Sequence, residues 1–498
     1  MRAESIGNKQ SREQGSSILE ALIALAVLTL GISAVIMLVF ANQTLKLDSE
    51  TAGEALYKAK DVLEDKRALS HQDFNSVVPI SFPLDSIYSK EFAAADLTPC
   101  RKEVTSRITW STEQARPQKI ELKTDLVDIP GAFALGSDCD SGITDDFDNP
   151  RGLVSEPLGG QGATSIDAVN NRLYVTSNKF PPLHNVDLFI YDFDPILVSL
   201  TPVAALDLDQ GLNDVDVAGN YAYLASASTT GQLQVVDLAA MARIDSATRQ
   251  LPETTTAIGQ KIFFYNNKIY IGTQYLACPP TCPSTQNNEF HIYDVSTPSS
   301  PNWQGSVNIN HNVNDIFVSG DFAYLATSDI NHELMVININ PSSSDYLKHP
   351  DDTGFGYDAP GSHDGSSVYI LGNKVYLGRK QNTPSSSDDF FILNKNDVLD
   401  GVSTSDGLIN SLDLGIQNGA LVTGIIVRGQ LAFIGLDDPA FGLKILNIST
   451  MLPPSACAGF NFPENSTGMD MSGNFIFTSN KSQDEIRVIY DQPTACIP

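Results

Sequence analysis

Asn213-Asp214-Val215-Asp216-Val217-Ala218-Gly219-Asn220-Tyr221-Ala222-Tyr223-Leu224-Ala225 returns further along the chain as Asn314-Asp315-Ile316-Phe317-Val318-Ser319-Gly320-Asp321-Phe322-Ala323-Tyr324-Leu325-Ala326. Each copy is two strands of alternating apolar residues around a two-residue turn. The turn recurs as Asn170-Asn171, Gly219-Asn220, Asn266-Asn267, Gly320-Asp321, Gly372-Asn373, Gly429-Gln430 and Gly473-Asn474. Gly and Asn hold these positions because type I′ and II′ hairpin turns need positive φ, which those residues tolerate at least cost. Four residues after the first member of each pair stands an aromatic: Tyr174, Tyr223, Tyr270, Tyr324, Tyr376, Phe433 and Phe477. A third strand follows and tends to end in a turn-forming Asp or Asn, as at Asp192, Asp237, Asp294, Asn338 and Asn447.

Successive turns at 170, 219, 266, 320, 372, 429 and 473 are separated by 49, 47, 54, 52, 57 and 44 residues. A period of that length with several strands per unit predicts a β-propeller of four-stranded blades, here seven, over 151–498. The fourth strand of each blade should precede the next repeat, as at Asn302 to Ile309 and Leu408 to Gly415. The last repeat ends after its third strand, Ile486 to Tyr490, so Gly152 to Gly159 is expected to supply the missing strand and close the ring. The repeats resemble the LVIVD-type repeat family, with the third and seventh copies departing from its pattern. That resemblance implies a scaffold and brings no catalytic residues with it.

The chain has 498 residues and a formal net charge of -28. Such an acidic balance argues against a basic nucleic-acid groove and for a soluble extracellular surface, so no direct nucleic-acid partner is expected. After residue 70 no long apolar pattern of helical period appears, and the composition reads as mainly β.

The N-terminus is different. Gly15-Ser16-Ser17-Ile18-Leu19-Glu20 precedes Ala21 to Phe40, a run without a charge. A carboxylate at the edge of a membrane-length apolar run is costly, so Glu20 is expected to have a function. The stretch resembles the processing site of type IV pilins and type II secretion pseudopilins. The resemblance implies a leader over 1–15, with Arg2, Lys9 and Arg12 on its cytoplasmic side, and a prepilin peptidase that cuts after Gly15. It also implies methylation of the new N-terminal amine of Ser16, and a docking role in filament assembly for Glu20, the fifth mature residue, against the amine of a neighbouring subunit. Ser16 departs from the Phe commonest at that place in the family. An ordinary signal peptide would have a shorter apolar core and no place for Glu20; a plain membrane anchor would give no reason for Gly15 or Glu20.

A filament or transmembrane helix is expected over 16–70, because Leu45, Ala52, Leu56, Ala59 and Leu63 continue a heptad-like stripe beyond the membrane-length run. Residues 71–136 read as a small pilin-like β region, clearest in Glu103 to Trp110 and Lys119 to Val127. Residues 137–150 read as an acidic linker. Asp138, Asp140, Asp145, Asp146 and Asp148 offer oxygen ligands there, but Gly142 stands where a calcium loop needs its third ligand.

Six cysteines permit fifteen pairings. Position in the chain favours Cys100 with Cys139, Cys278 with Cys282 and Cys457 with Cys496. Zinc at Cys278 and Cys282 lacks a second ligand pair at the right spacing. Thirteen residues before the aromatic anchors stand Gln161, Gln210, Ala257, His311, His363, Ala420 and Glu464. His311, His363 and Glu464 are candidate ligands for a divalent metal at the axis, while Asp214 and Asp315 are the nearby carboxylates. Polar filling of a wet channel is the competing reading, and no metal or other cofactor is expected. No G-x-S-x-G, H-E-x-x-H or P-loop spacing appears, so the sequence makes no positive case for an enzyme.

These features lead to a minor pilin or pseudopilin with a β-propeller head, held in the cytoplasmic membrane before assembly and at the cell surface or pilus afterwards. Its partners would be other pilin subunits and an extracellular surface or ligand, met through loops such as Gln274 to Glu289 and Gln381 to Asp389. Two alternatives stay open: a membrane-anchored propeller hydrolase or lyase, and a purely structural pseudopilus subunit.

Overall fold

The computed structural model describes residues 10–72, 74–82, 87–111, 117–134, 147, 149–159, 162–178, 186–208, 211–252, 256–275, 288–381, 387–402, 404–438, 440–452, 459–460, 465–481 and 484–491. The protein is mainly β, with one long N-terminal helix. It divides into two compact units, Met1–Ala68 with Val78–Ala94 and Val104–Thr124, and Leu69–Val77 with Ala95–Glu103 and Asp125–Pro498.

In the first unit, α1 (Gln10–Gln72) begins ahead of the expected 16–70 and runs through the backbone of Gly15 and Ser16. Its apolar part includes a window of mean hydropathy 2.8, none of it buried, so the helix is long and apolar enough to cross a membrane. Glu20 is exposed at the start of that run. Further along, α1 buries Thr51, Ala55, Ala59, Val62 and Leu63. This corrects the expected stripe: Leu56 is 36% exposed, and Ala55 takes its place. Small side chains at 55 and 59 let the helix approach Tyr88, Ile108 and Trp110, with which they share a core. The single Tyr88 hydroxyl proton is shared between the Thr51 carbonyl at 3.2 Å and Glu54 Oε2 at 3.0 Å, satisfying a buried phenol.

Those aromatics lie on a four-stranded antiparallel sheet in the order β1 (Ile80–Ser81), β2 (Tyr88–Thr98), β3 (Arg101–Ser111), β4 (Pro117–Val127). In β3 every second residue is buried from Lys102 to Trp110, the period expected of a sheet with one covered face.

In the second unit, seven four-stranded antiparallel sheets follow among the described residues, an arrangement consistent with a β-propeller. Their innermost strands are Ala163–Val169, Leu212–Ala218, Ala257–Tyr265, Val313–Ser319, Asp364–Leu371, Val422–Arg428 and Ser466–Ser472. The expected outer strands are present as Asn302–Val307 and Leu408–Leu412. β5 (Pro150–Glu156) completes the last sheet by pairing antiparallel with Ile486–Asp491. A chain segment ahead of the first sheet thus caps the edge left by the last.

The turns separate by chemistry. Asn170 and Asn171, and likewise Asn266 and Asn267, all have positive φ, as a type I′ turn requires; where Gly leads, only the Gly does, as in type II′. The seven aromatic anchors are all buried, none more than 5% exposed.

Each innermost strand also carries a bulge, between Ala163 and Ser165, Leu212 and Asp214, Gly259 and Lys261, Val313 and Asp315, Gly365 and Ser367, Val422 and Gly424, and Ser466 and Gly468. The extra residue is turned out of the ladder, which frees its side chain for the next sheet. Thr164 Oγ1 donates to the Leu212 carbonyl at 2.8 Å, Asn213 Nδ2 to Gly259 at 2.6 Å, Asn314 Nδ2 to Gly365 at 2.7 Å, and Ser366 Oγ to Val422 at 2.8 Å. Thr467 Oγ1 donates to Ala163 at 3.0 Å, from the seventh sheet to the first.

A second set of clamps sits at the head of the third strands. Asp187, Glu289, Glu333 and Glu485 each accept a backbone N–H at 2.8 Å from the segment leading to the next sheet, from Leu208, Ile309, Ala359 and Leu158. Burial pushes the carboxyls of Glu289, Glu333 and Asp389 up to about 7. Because these folded values lie above the unfolded ones, near 4, each group's stabilisation is full at low pH and is lost as pH rises through 7. His291, which burial pushes down to about 4, works the other way, losing stabilisation as pH falls below about 6.5. Three carboxyls outweigh one imidazole, so the thermal midpoint should be several degrees higher at about pH 5.5 than at about pH 7.5. A midpoint that falls on acidification in calorimetry would contradict this.

Candidate functional site

The bulge turns every second residue of the inner strands toward a common cavity of about 170 Å³, lined by residues from all seven. Two layers of residues, all but Ser367 in its lining, define it. Nine residues before the anchors stand Ser165, Asp214, Lys261, Asp315, Ser367, Gly424 and Gly468; seven residues before them stand Asp167, Asp216, Phe263, Phe317, Tyr369, Ile426 and Asp470. The latter set lies directly across the hairpins from the anchors, as Asp216 does from Tyr223 and Phe317 from Tyr324.

The first layer is balanced by an ion pair. Lys261 Nζ lies 3.6 Å from Asp214 Oδ1, and that carboxylate also accepts from Ser165 Oγ at 2.5 Å and from the Ile262 N–H at 3.0 Å. Asp315 accepts from the Val368 N–H at 2.9 Å, and burial pushes its carboxyl up to about 6 against the field of Lys261.

The second layer is divided. On three consecutive sheets, the seventh, first and second, it holds carboxylates, each bonded to the neighbouring strand: Asp470 Oδ2 to the Ala168 N–H, Asp167 Oδ2 to Val217 and Asp216 Oδ2 to Phe264, all at 2.6 Å. Burial first, and Asp167 second, push the Asp216 carboxyl well above its usual range. The next three sheets supply an aromatic arc. Phe263 and Phe317 lie 5.2 Å apart by ring centroids, Phe317 and Tyr369 5.1 Å, and Arg428 Nη1 donates to the Tyr369 hydroxyl at 2.7 Å.

Of the residues expected to ring the axis, the two histidines do not line this cavity. His311 Nε2 is 3.5 Å from Asp329 Oδ2, and His332 Nδ1 is 3.4 Å from the same oxygen. Burial opposes the Asp329 charge, but the bond from His332 and the field of His311 outweigh it and hold that carboxyl below its usual range. His363 is buried, with its Nε2 in a hydrogen bond of 2.9 Å with Ser387 Oγ. Burial, then Arg379, pushes its imidazole pKa down. Neither histidine lines the cavity, and among the described residues no group of three His, Cys, Asp or Glu side chains is placed to hold a metal. Glu464 lies outside the described residues, as do Gln161 and Gln210. Cys100 is disulfide-bonded. Cys139, Cys278, Cys282, Cys457 and Cys496, the acidic segment around Asp140, and most of the loops after Gln274 and Gln381 also fall outside the described residues.

The expectation that Asp214 and Asp315 were the carboxylates near the axis was too narrow. Asp167, Asp216 and Asp470 join them. Their fixed offset of seven from the anchors was present in the sequence, but an aspartate in a strand between apolar neighbours reads as an exposed polar position unless both faces of that strand are known to be covered.

The LVIVD repeat family matches this chain over residues 212–242, 284–309 and 311–348. The chain therefore contains LVIVD repeats within its β-propeller-like region. No curated protein matches it. Among solved structures, a chain of the "Crystal Structure of Mitotic Checkpoint Complex" is similar at 14% identity and a TM-score of 0.44, over 74% of this chain and 97% of that one.

Proposed function

We propose that this chain is a pilin-like subunit, a minor pilin or pseudopilin, that carries a seven-bladed propeller as a display head outside the cytoplasm. The observation that carries the reading is Glu20. It is exposed at the threshold of an apolar run with no buried residue, on a helix whose later turns are covered by an antiparallel sheet. An anchor has no use for a carboxylate at that depth, whereas a subunit that must align with its neighbour gains an ion-pair partner for the amine of Ser16. Seven blades are supported by the seven sheets, the strand supplied by β5 and the bond from Thr467 back to Ala163. A head of that bulk suits a filament tip or sparse positions, where it can bind an extracellular partner.

The reading predicts a mature chain that begins at methylated Ser16. Intact-mass and N-terminal peptide analysis of protein from its native membrane should find that terminus, and Glu20→Ala should leave cleavage intact while abolishing incorporation into filaments. An uncut leader over 1–15 would remove the pilin reading and leave a membrane-anchored propeller.

A further inference from the structure

The axial cavity combines features that are not needed merely to close a ring of sheets. Closure uses one oxygen of each second-layer carboxylate, the one bonded to the neighbouring N–H. Asp216 commits Oδ2 in this way, and its other oxygen has no hydrogen-bond partner among the described residues. Lys261 is the one cation in the described lining, and it belongs to the first layer, beside Asp214 and within the field of Asp315. The second layer thus gathers Asp470, Asp167 and Asp216 on one side and Phe263, Phe317 and Tyr369 on the other. A carboxylate arc facing an aromatic arc suits a group that is at once cationic, a hydrogen-bond donor and partly apolar.

We propose that the axial cavity binds a primary alkylammonium group, seated between the Asp167–Asp216 carboxylates and the Phe263–Phe317–Tyr369 wall. The ammonium donates to the free oxygen of Asp216, and its alkyl stem lies against the rings. A cavity of about 170 Å³ accommodates an aminoalkyl chain but not a folded peptide or a nucleotide. A hard divalent metal fits less well, because Phe263, Phe317 and Ile426 offer no oxygen ligand and the Tyr369 hydroxyl is already bonded by Arg428. The charge balance points the same way: burial and Asp167 both penalise a negative Asp216, and a bound cation removes that penalty. The proposal goes beyond display and holds whatever α1 is anchored in.

Calorimetric titration of the full-length protein in detergent micelles tests it, with cadaverine as a free diamine and N-acetyl-lysine amide as a protein-like lysine. Saturable binding of either supports the site; cadaverine alone points to a polyamine, and the lysine amide alone to the side chain of a protein partner. Asp216→Asn keeps an acceptor for the Phe264 N–H, and Phe317→Leu keeps an apolar wall. Each is expected to weaken binding at least about tenfold, with the circular dichroism spectrum unchanged. Failure of both amines to bind, equal affinity in both variants, or calcium binding where the amines do not would overturn the proposal.

Discussion

Replacing Arg379 by Ala should cost about 3–5 kcal/mol and lower the thermal midpoint more than any surface change. Arg379 is 1% exposed, one of the largest fully buried side chains. Its Nη1 donates to Glu333 Oε1 and to the Pro360 carbonyl, both at 3.0 Å, its Nη2 donates to the Asp388 carbonyl at 2.7 Å, and the guanidinium lies 4.7 Å from the Phe391 ring centroid. Glu333 in turn holds the Ala359 N–H with its other oxygen, so one ion pair joins the fourth sheet, the fifth sheet and the connection between them. Removing the cation strands a carboxylate in a place water does not reach, and the cost is dominated by that orphan rather than by the lost attraction. Burial holds the Glu333 carboxyl at about 7 despite Arg379, so the measurement belongs near pH 8, where the carboxyl is mostly ionised. On acidification Glu333 can take up a proton, and the deficit of Arg379→Ala should shrink. A double variant, Glu333→Gln with Arg379→Met, should recover part of the loss. A deficit independent of pH would mean that packing, not charge, holds this corner.

The repeat was legible because local chemistry repeats with it. Positive φ at the turns selects Gly and Asn, and the buried position across the hairpin selects an aromatic, so both mark the chain at a fixed spacing. The bulges were not legible. Thr164, Asn213, Ser366 and Thr467 read as ordinary polar strand residues, and only the two-against-one pairing reveals that each reaches for the next sheet. Buried acids at the strand heads were missed for a related reason. Glu289 and Glu333 stand beside turns, where carboxylates are common, and their burial depends on a segment some twenty residues on in the chain. His311 and His363 sit at equivalent repeat positions, yet one pairs with Asp329 and the other with Ser387, which the sequence pattern does not distinguish. In α1 the heptad count named Leu56, but a helix pressed against Trp110 and Tyr88 buries the narrower Ala55 instead.

At Tyr324 the two obvious substitutions should move stability in opposite directions. The ring is fully buried, stands across the hairpin from Phe317 in the cavity wall, and has Lys395 Nζ 5.7 Å above its centroid. Tyr324→Ala removes that volume from a hydrophobic cluster it shares with Phe317, Val336 and Tyr369 and should cost about 3–5 kcal/mol. The hydroxyl is another matter. It is buried with no hydrogen-bond partner among the described residues, and burial alone pushes its pKa far up. An unsatisfied buried hydroxyl forfeits its hydration for nothing, typically about 1–3 kcal/mol. Tyr324→Phe removes the oxygen while keeping the ring and its contact with Lys395, so it should raise the thermal midpoint, by an amount equivalent to about 1 kcal/mol. The chain makes this exchange itself, since Phe433 and Phe477 occupy the same repeat position and are fully buried. Tyr88 supplies the contrast: its hydroxyl bonds Thr51 and Glu54, so Tyr88→Phe should lower the midpoint where Tyr324→Phe raises it. Thermal unfolding of the two Phe variants side by side decides the matter, and a loss at both positions would mean that Tyr324 has a partner, most simply an ordered water, reached only in solution.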